Sequence, residues 1–212
     1  IAGATFFRDL HKFYGAKDDL FPQRTAGLIF FENMMGIFFT GRDLTDEVLA
    51  ELQPDVRFVV AEQEYDPKVG TPELQIPSFA AIFRMDNPQY FSEVMEEAWQ
   101  KAIGLVNFTA GQQAQPGLII DRPTHNDVTF TVSRYSTADV EKSTDIHSRH
   151  NFKPTLATFD DWLVLSSTEA LARNLIDSLK EETAKQTKAM AGVHSLIEVS
   201  GRQLASILKA NR

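Results

Sequence analysis

The stretch TLATFDDWLVLSSTEALARNLIDSL, residues 155–179, predicts a β-hairpin that runs directly into a helix. Asp160 and Asp161 separate two apolar runs, and such residues tolerate the left-handed backbone of a tight turn. Leucine and isoleucine then recur at helical spacing from residue 168 onward. The combination predicts an α+β fold, in which helices pack on a mainly antiparallel sheet.

Two serines, Ser166 and Ser167, lie at the junction of the second strand and the helix. One large class of hydrolases holds its catalytic serine at such a junction, with a glycine two residues away on either side. No glycine occupies those positions here. The order Ser-Ser-Thr-Glu has the spacing of a capping box, so we expect Ser166 to cap the helix and Glu169 to reach back to it.

The composition of the chain restricts its partners. The 212 residues carry a net charge of −8 and no cysteine. A nucleic-acid partner is not expected, because it would require clustered lysine and arginine. The absence of cysteine excludes disulfides, zinc–thiolate sites and thiol catalysis. No apolar run reaches the length of about 20 residues that a membrane-spanning helix needs, so membrane insertion is not expected either.

The remaining elements are predicted from hydrophobic spacing and turn residues. Helices are expected at 4–14, 42–52 and 87–103, and residues 107–117 are expected to form a loop. Residues 28–37 predict a second hairpin, which turns at Glu32-Asn33. The expected helix caps are Asp43, then Asp86 or Asn87 with Pro88 after it, and Ser200 before the last helix. Further strands are expected at 56–65, 78–85 and 194–199.

The order hairpin, helix, strand and helix occurs twice along the chain. Apolar positions of residues 28–52 recur in residues 156–179 at a nearly constant offset. This correspondence predicts an internal duplication, with copies at about 27–103 and 154–212 and an intervening segment at 104–151. The whole of 1–212 is then expected to be a single α+β domain and a fragment of a longer chain.

The hairpin-helix stretch, the segment SLIEVSGRQLASIL and the segment AAIFRMDNPQYFSEVM together resemble a domain-of-unknown-function family of bacterial exported proteins. Its members carry a hairpin ending in Leu-Val-Leu-Ser-Ser before a helix, and a strand ending in Asp before another helix. The resemblance implies an extracytoplasmic location, periplasmic or exported. It also implies that a protein or an envelope component is the kind of partner to expect. It brings no catalytic residues and no cofactor.

Three histidines of the intervening segment, His125, His147 and His150, are the candidate metal ligands. The run His-Ser-Arg-His would place two imidazoles on the same side of a helical turn. Polar loops also collect histidine and aspartate because both are compatible with turns, so both interpretations stay open. The aspartates that could complete a metal site are Asp121, Asp127 and Asp145.

Carboxylates and tryptophans are the last candidates for chemistry. Glu93, Glu96 and Glu97 are expected to face solvent, because the apolar stripe of their helix lies on another side. Trp99 and Trp162 are expected to pack in the core or at its edge. No glycine-rich phosphate loop is present.

These observations predict a non-catalytic binding or structural module. Two alternatives remain: a metal-dependent hydrolase that uses the three histidines, and a small-ligand sensor with its pocket where the two halves meet. Binding residues concentrate on loops that a rigid scaffold holds in place. A partner or ligand is therefore expected to contact segment 104–151 and loop 66–77.

Overall fold

The computed structural model describes residues 1–21, 26–67, 69–136, 148–186 and 194–211. Within this part of the chain, eight strands form one antiparallel sheet and two short strands form a separate hairpin. The strands of the sheet are β1 (Ala2–Phe7), β2 (Leu52–Ala61), β3 (Ser78–Met85), β4 (Leu118–Asp121), β7 (Thr131–Tyr135), β8 (Thr155–Phe159), β9 (Trp162–Ser166) and β10 (Ser195–Val199), and the hairpin consists of β5 (Thr124–His125) and β6 (Val128–Thr129).

Helices and single turns connect these strands. In the described residues, no helix is both long enough and apolar enough to cross a membrane. The α-helices are α1 (Leu10–Gly15), α2 (Lys17–Leu20), α3 (Ala26–Phe38), α4 (Pro88–Gln112), α5 (Glu169–Lys185) and α6 (Gly201–Ala210). Shorter helical turns comprise a π-turn at Leu44–Val48 and 3-10 turns at Leu49–Glu51 and Ser148–Asn151.

The order of strands across the sheet is β10-β1-β2-β3-β9-β8-β7-β4. The central strands β3 and β9 pair with Ile82 opposite Val164 and Phe83 opposite Leu163. Each of these strands leads into one of the long helices, α4 and α5. Helices packed on a large antiparallel sheet confirm the predicted α+β class.

The two long helices cover opposite faces of the central strands. On one face, α5 buries Ile176 against Val164 and Ile82. On the other face, α4 buries Phe91 against Leu163. Successive side chains of a strand point to opposite faces, so Leu163 and Val164 belong to different cores although they are neighbours in sequence. A strand buried on both faces explains the unbroken apolar run of β9.

Trp162 is fully buried at the centre of the core beneath α5. The guanidinium carbons of Arg57 and Arg84 lie 4.7 and 4.1 Å from its ring centre, so two cations stack on one indole. Its Nε1 donates to Thr183 Oγ1 over 3.1 Å. The expectation that this tryptophan serves packing is confirmed.

Arg57 is a buried cation that two carboxylates neutralise. Its guanidinium donates to Glu182 over 2.7 and 2.9 Å and to Asp55 over 2.8 Å. Burial disfavours the charged form, yet the hydrogen bonds to Glu182 and Asp55 outweigh it and raise the pKa of Arg57 above its ordinary value. The network therefore connects α5 to β2.

The hairpin predicted at residues 28–37 is wrong. Residues 26–38 form α3, and the proposed turn at Glu32-Asn33 lies in the middle of that helix. Leucine, methionine and phenylalanine suit a helix as well as a strand, so a short apolar run does not distinguish the two. Lys17 also fixes the helix through a 3.0 Å ion pair with Glu32. Without this hairpin, the structure does not show the internal duplication.

Two other predicted helix boundaries are wrong, and the strand expected at 56–65 is β2, which begins earlier, at Leu52, and ends at Ala61. The first half of the helix expected at 4–14 is β1, because this segment pairs with β2 on one side and β10 on the other. The other boundary is the end of the helix expected at 87–103. There α4 continues to Gln112, through residues that were expected to form a loop. The side chain of Asn107 binds the backbone of Leu118 there, over 2.6 and 2.9 Å, and so holds the helix end against β4.

Several predicted turns and caps are confirmed. Asp160 has a φ of 49° in the turn between β8 and β9, as a tight hairpin requires. Asn87 caps α4 and Pro88 occupies its first turn. Asp43 accepts hydrogen bonds from two backbone amides, but π- and 3-10 turns follow it instead of the expected α-helix.

Glu97 provides a pH-dependent contact between α4 and the end of α3. It accepts a hydrogen bond from Thr40 over 2.6 Å and forms an ion pair with Lys101 over 2.9 Å. These contacts lower the pKa of Glu97 from 4.5 to about 2. A lowered carboxyl pKa stabilises the fold above pH 4.5, and this stabilisation is lost as the pH falls toward 2.

We expect Glu97→Gln to remove that component of the acid sensitivity. Denaturant unfolding of both proteins across this pH range measures it. The stability difference between wild type and variant should be largest above pH 4.5 and should shrink toward pH 2. A difference that stays constant over the same range would contradict the assignment to Glu97.

Candidate functional site

A cleft of about 1050 Å³ opens where the β2–β3 connection, the turn at Ser148–Asn151, the first turns of α5 and one side of α6 meet. It brings the described residues of loop 66–77 together with the end of segment 104–151, the two regions expected to bind. Its lining includes Gln63, Tyr65, Tyr135, Asn151, Lys153, Arg173 and Asn174.

Asn151 holds the cleft together. Only 2% of it is exposed, and its side-chain oxygen accepts from the Tyr65 hydroxyl over 2.7 Å and from the Ile76 amide over 2.9 Å. Its side-chain nitrogen donates to the carbonyls of Leu74 and Ser148, each over 2.8 Å. One amide therefore fixes the β2–β3 connection against the turn at Ser148–Asn151.

Gln63 and Tyr65 line the cleft beside this asparagine. Gln63 Nε2 donates to the Asn151 carbonyl over 3.0 Å, which fixes the orientation of the amide. Gln63 Oε1 is buried and accepts no hydrogen bond from any described residue. A buried acceptor without a donor costs about 1–3 kcal/mol. Burial also raises the pKa of the Tyr65 hydroxyl, which stays protonated.

Two of the basic side chains that line the cleft, Arg134 and Arg173, form ion pairs within the fold. Arg173 is held by Glu169, with nitrogen and oxygen 2.7 Å apart, and lies over the ring of Phe130. Arg134 is held by Asp121. The half-buried Lys153 lines the same cleft and forms no ion pair with the described residues.

The serines at the start of α5 are structural. Ser166 donates to the Thr168 carbonyl over 2.8 Å, and Ser167 accepts from the Phe79 amide over 2.8 Å. Both are buried. The predicted cap was wrong by two residues, because Thr168 accepts from the Leu171 amide and is the N-cap. Glu169 pairs with Arg173 and does not complete a capping box.

We expect Thr168→Ala to lower the free energy of unfolding by about 1 kcal/mol, the usual effect of losing an N-cap side chain. Denaturant titration measures it. Ser178→Ala is the matched control, since that exposed hydroxyl only bonds back to its own helix. An unchanged stability for Thr168→Ala would contradict the cap. A fluorophosphonate should label neither Ser166 nor Ser167.

The three candidate histidines are used differently where the structure describes them. Nε2 of His125 lies 2.9 Å from Asp177 Oδ2 on α5, and His150 packs edge-on against Tyr135 beside the cleft. His147 lies outside the described residues. Within the described ranges, no three potential ligands cluster around one point. The three-histidine metal site stays a prediction, which elemental analysis of the purified protein would test.

Several of the candidate acid–base or metal-binding carboxylates form hydrogen bonds or ion pairs within the fold. Glu93 is exposed as expected. Glu97 also faces solvent, with 42% of its side chain exposed, whereas the expectation is wrong for Glu96, which is half-buried against Thr131. Glu96 accepts from Thr131 over 3.0 Å, and Asp121 pairs with Arg134. Of the other aspartates, Asp127 has a φ of 61° in the β5–β6 turn and Asp145 lies outside the described residues.

Trp99, the second tryptophan, packs as expected. It is partly buried in the core beneath α4, and its Nε1 donates to Ser133 Oγ over 3.1 Å.

Comparison with models of protein families, with curated proteins and with solved structures finds no match. What the protein binds must therefore be inferred from its own residues. Sequence patterns missed Gln63, Lys153 and Asn151, because single polar residues in loops carry no spacing signal. The available signal was their position in or next to the loops between strands.

Proposed function

We propose that the chain is a non-catalytic binding module that holds a short peptide segment in the cleft. One observation carries the proposal: Lys153, which forms no ion pair with the described residues, and Gln63, whose side-chain oxygen has no donor among them, line the same cleft. A peptide offers a carbonyl or carboxylate to the first group and an N–H to the second.

The size of the cleft supports a peptide. Its volume of about 1050 Å³ lies slightly above the range for small-molecule sites, which is about 300–1,000 Å³. Tyr65, Tyr135 and Phe152 add aromatic surface that side chains of a peptide can contact.

The charge of the lining supports a ligand without strong net charge, because acidic and basic side chains are nearly balanced. The acidic residues are Glu62, Glu64, Asp66 and Glu169, and the basic ones are Arg134, Lys153 and Arg173.

The setting of this module is a further part of the proposal. The resemblance of the hairpin-helix stretch to exported bacterial proteins supports an extracytoplasmic location, with an envelope protein as the source of the peptide. A small-ligand sensor that uses the same cleft remains the alternative, and peptide binding distinguishes the two.

Selection from displayed, random-sequence short peptides tests the proposal. We expect an enriched peptide to bind the wild-type chain and to bind Lys153→Ala about tenfold more weakly, since a hydrogen bond to a charged group contributes about 1.5–3 kcal/mol. Lys12→Ala is the control, because Lys12 lies on α1 and pairs with Asp9. Failure to enrich any peptide, or equal affinity for both variants, would contradict the proposal.

A further inference from the structure

We propose that a second copy of the chain pairs with the free edge of β10 and extends the sheet across a two-fold axis. β10 is the last strand of the sheet, and only β1 pairs with it among the described strands. All five of its residues are exposed. No residue of β10 lines the cleft, so the inference does not rest on peptide binding.

The backbone of β10 has a defined set of unused groups. The Phe7 amide donates to the His194 carbonyl over 2.9 Å, and the Ser200 amide donates to the Ile1 carbonyl over 2.7 Å. Hydrogen-bonded positions alternate along an antiparallel pair, so the backbone N–H and C=O groups of Leu196 and Glu198 also point toward β1. The N–H and C=O groups of Ser195, Ile197 and Val199 therefore point outward.

These outward groups complement themselves. In an antiparallel pair centred on Ile197, Ile197 lies opposite Ile197 of the second copy and Ser195 lies opposite Val199. Every outward donor of one strand then meets an outward acceptor of the other. The same register places Glu198 opposite Leu196, so the two carboxylates are not opposed, whereas a register centred on Glu198 would oppose them.

In the part of the chain that the structure describes, the edge lacks most of the features that normally prevent such pairing. Soluble proteins protect edge strands with charged residues, above all lysine, with proline and bulges, or with a covering element. β10 contains neither lysine nor proline, Glu198 is its one charged residue, and Ile197 and Val199 are 71% and 61% exposed. An exposed apolar edge of this kind accepts another strand through main-chain hydrogen bonds.

The area of contact indicates that α6 takes part. A standard interface uses about 20–30 residues on each side, and β10 supplies only five. α6 follows β10 directly and exposes Leu204 and Leu208 at one-turn spacing, while Ser206, Ile207 and Ala210 of the same helix line the cleft. Strand and helix together remain below the standard size, so the dimer should be weak, with a dissociation constant on the order of micromolar.

Sedimentation at a series of concentrations tests the dimer. We expect the wild-type chain to change from monomer to dimer, and Ile197→Lys to remain a monomer because a charge would be buried at the centre of the pair. Ile37→Lys is the matched control, since Ile37 is 68% exposed on α3. A wild type that is monomeric throughout would overturn the proposal, and so would a dimer that survives Ile197→Lys or that Ile37→Lys also abolishes.

The absence of cysteine allows the register to be tested with the folded chain. Opposed residues of a hydrogen-bonded antiparallel pair have Cα atoms about 5.5 Å apart, within the range that a disulfide can bridge. We expect Ile197→Cys to form a covalent dimer under mild oxidation and Leu196→Cys not to, because residue 196 lies opposite residue 198. Equal cross-linking of the two variants would overturn the proposed register.

Discussion

Trp162→Ala is expected to lower the free energy of unfolding by about 4 kcal/mol, the largest effect of any single substitution considered for this chain. The ring is fully buried, and truncation leaves a large cavity beneath α5. Arg57 and Arg84 would also lose the aromatic face on which their guanidiniums lie. Arg57 is 8% exposed and depends on well-packed surroundings to keep its ion pairs in place.

Denaturant titration followed by far-UV circular dichroism measures this loss. Trp99→Ala is the matched control, because Trp99 is only partly buried at the edge of the other core. Its substitution should cost clearly less. A Trp162→Ala protein within about 1 kcal/mol of wild type would contradict the position of Trp162 at the centre of the core.

Asn151→Ala is expected to lower the free energy of unfolding by about 3 kcal/mol. The substitution removes the acceptor for the Tyr65 hydroxyl and the Ile76 amide, and the donor for the carbonyls of Leu74 and Ser148. Each buried group left without a partner costs about 1–3 kcal/mol, and access of water recovers part of the sum. Peptide binding should be lost as well, because the same bonds shape the cleft.

Asn174→Ala provides the control for this substitution. Asn174 lines the same cleft but is exposed, so its removal should change stability by less than about 0.5 kcal/mol. Equal stability losses for the two variants would show that Asn151 does not hold the β2–β3 connection against the neighbouring turn.

The β8–β9 hairpin and α5 were predictable from sequence because local signals agree there. Asp160 suits the turn, and the leucines after Thr168 have helical spacing. Local and long-range preferences disagree at the chain start, where β1 has a helical pattern and pairs with distant strands. In residues 26–38 the apolar composition fits both states, and the contact of α3 with α4 favours the helix.

The cleft could be predicted only as a region. The expectation that segment 104–151 and loop 66–77 would bind identified two of the elements that line it. The contribution of α5 and α6 was not predictable, because it depends on the positions of β9 and β10 in the sheet. Asn151 carries no local signal, since the partners of its side chain lie up to 86 residues away in the chain.

Hydrogen exchange with and without the selected peptide is the most direct test of the binding cleft. We expect protection in the described residues of 62–77, in residues 148–153 and in the first turn of α5, with no change in α3 or α4. Protection confined to the 43–52 turns and the body of α5, with the described residues of 104–151 unchanged, would contradict the cleft as the binding site.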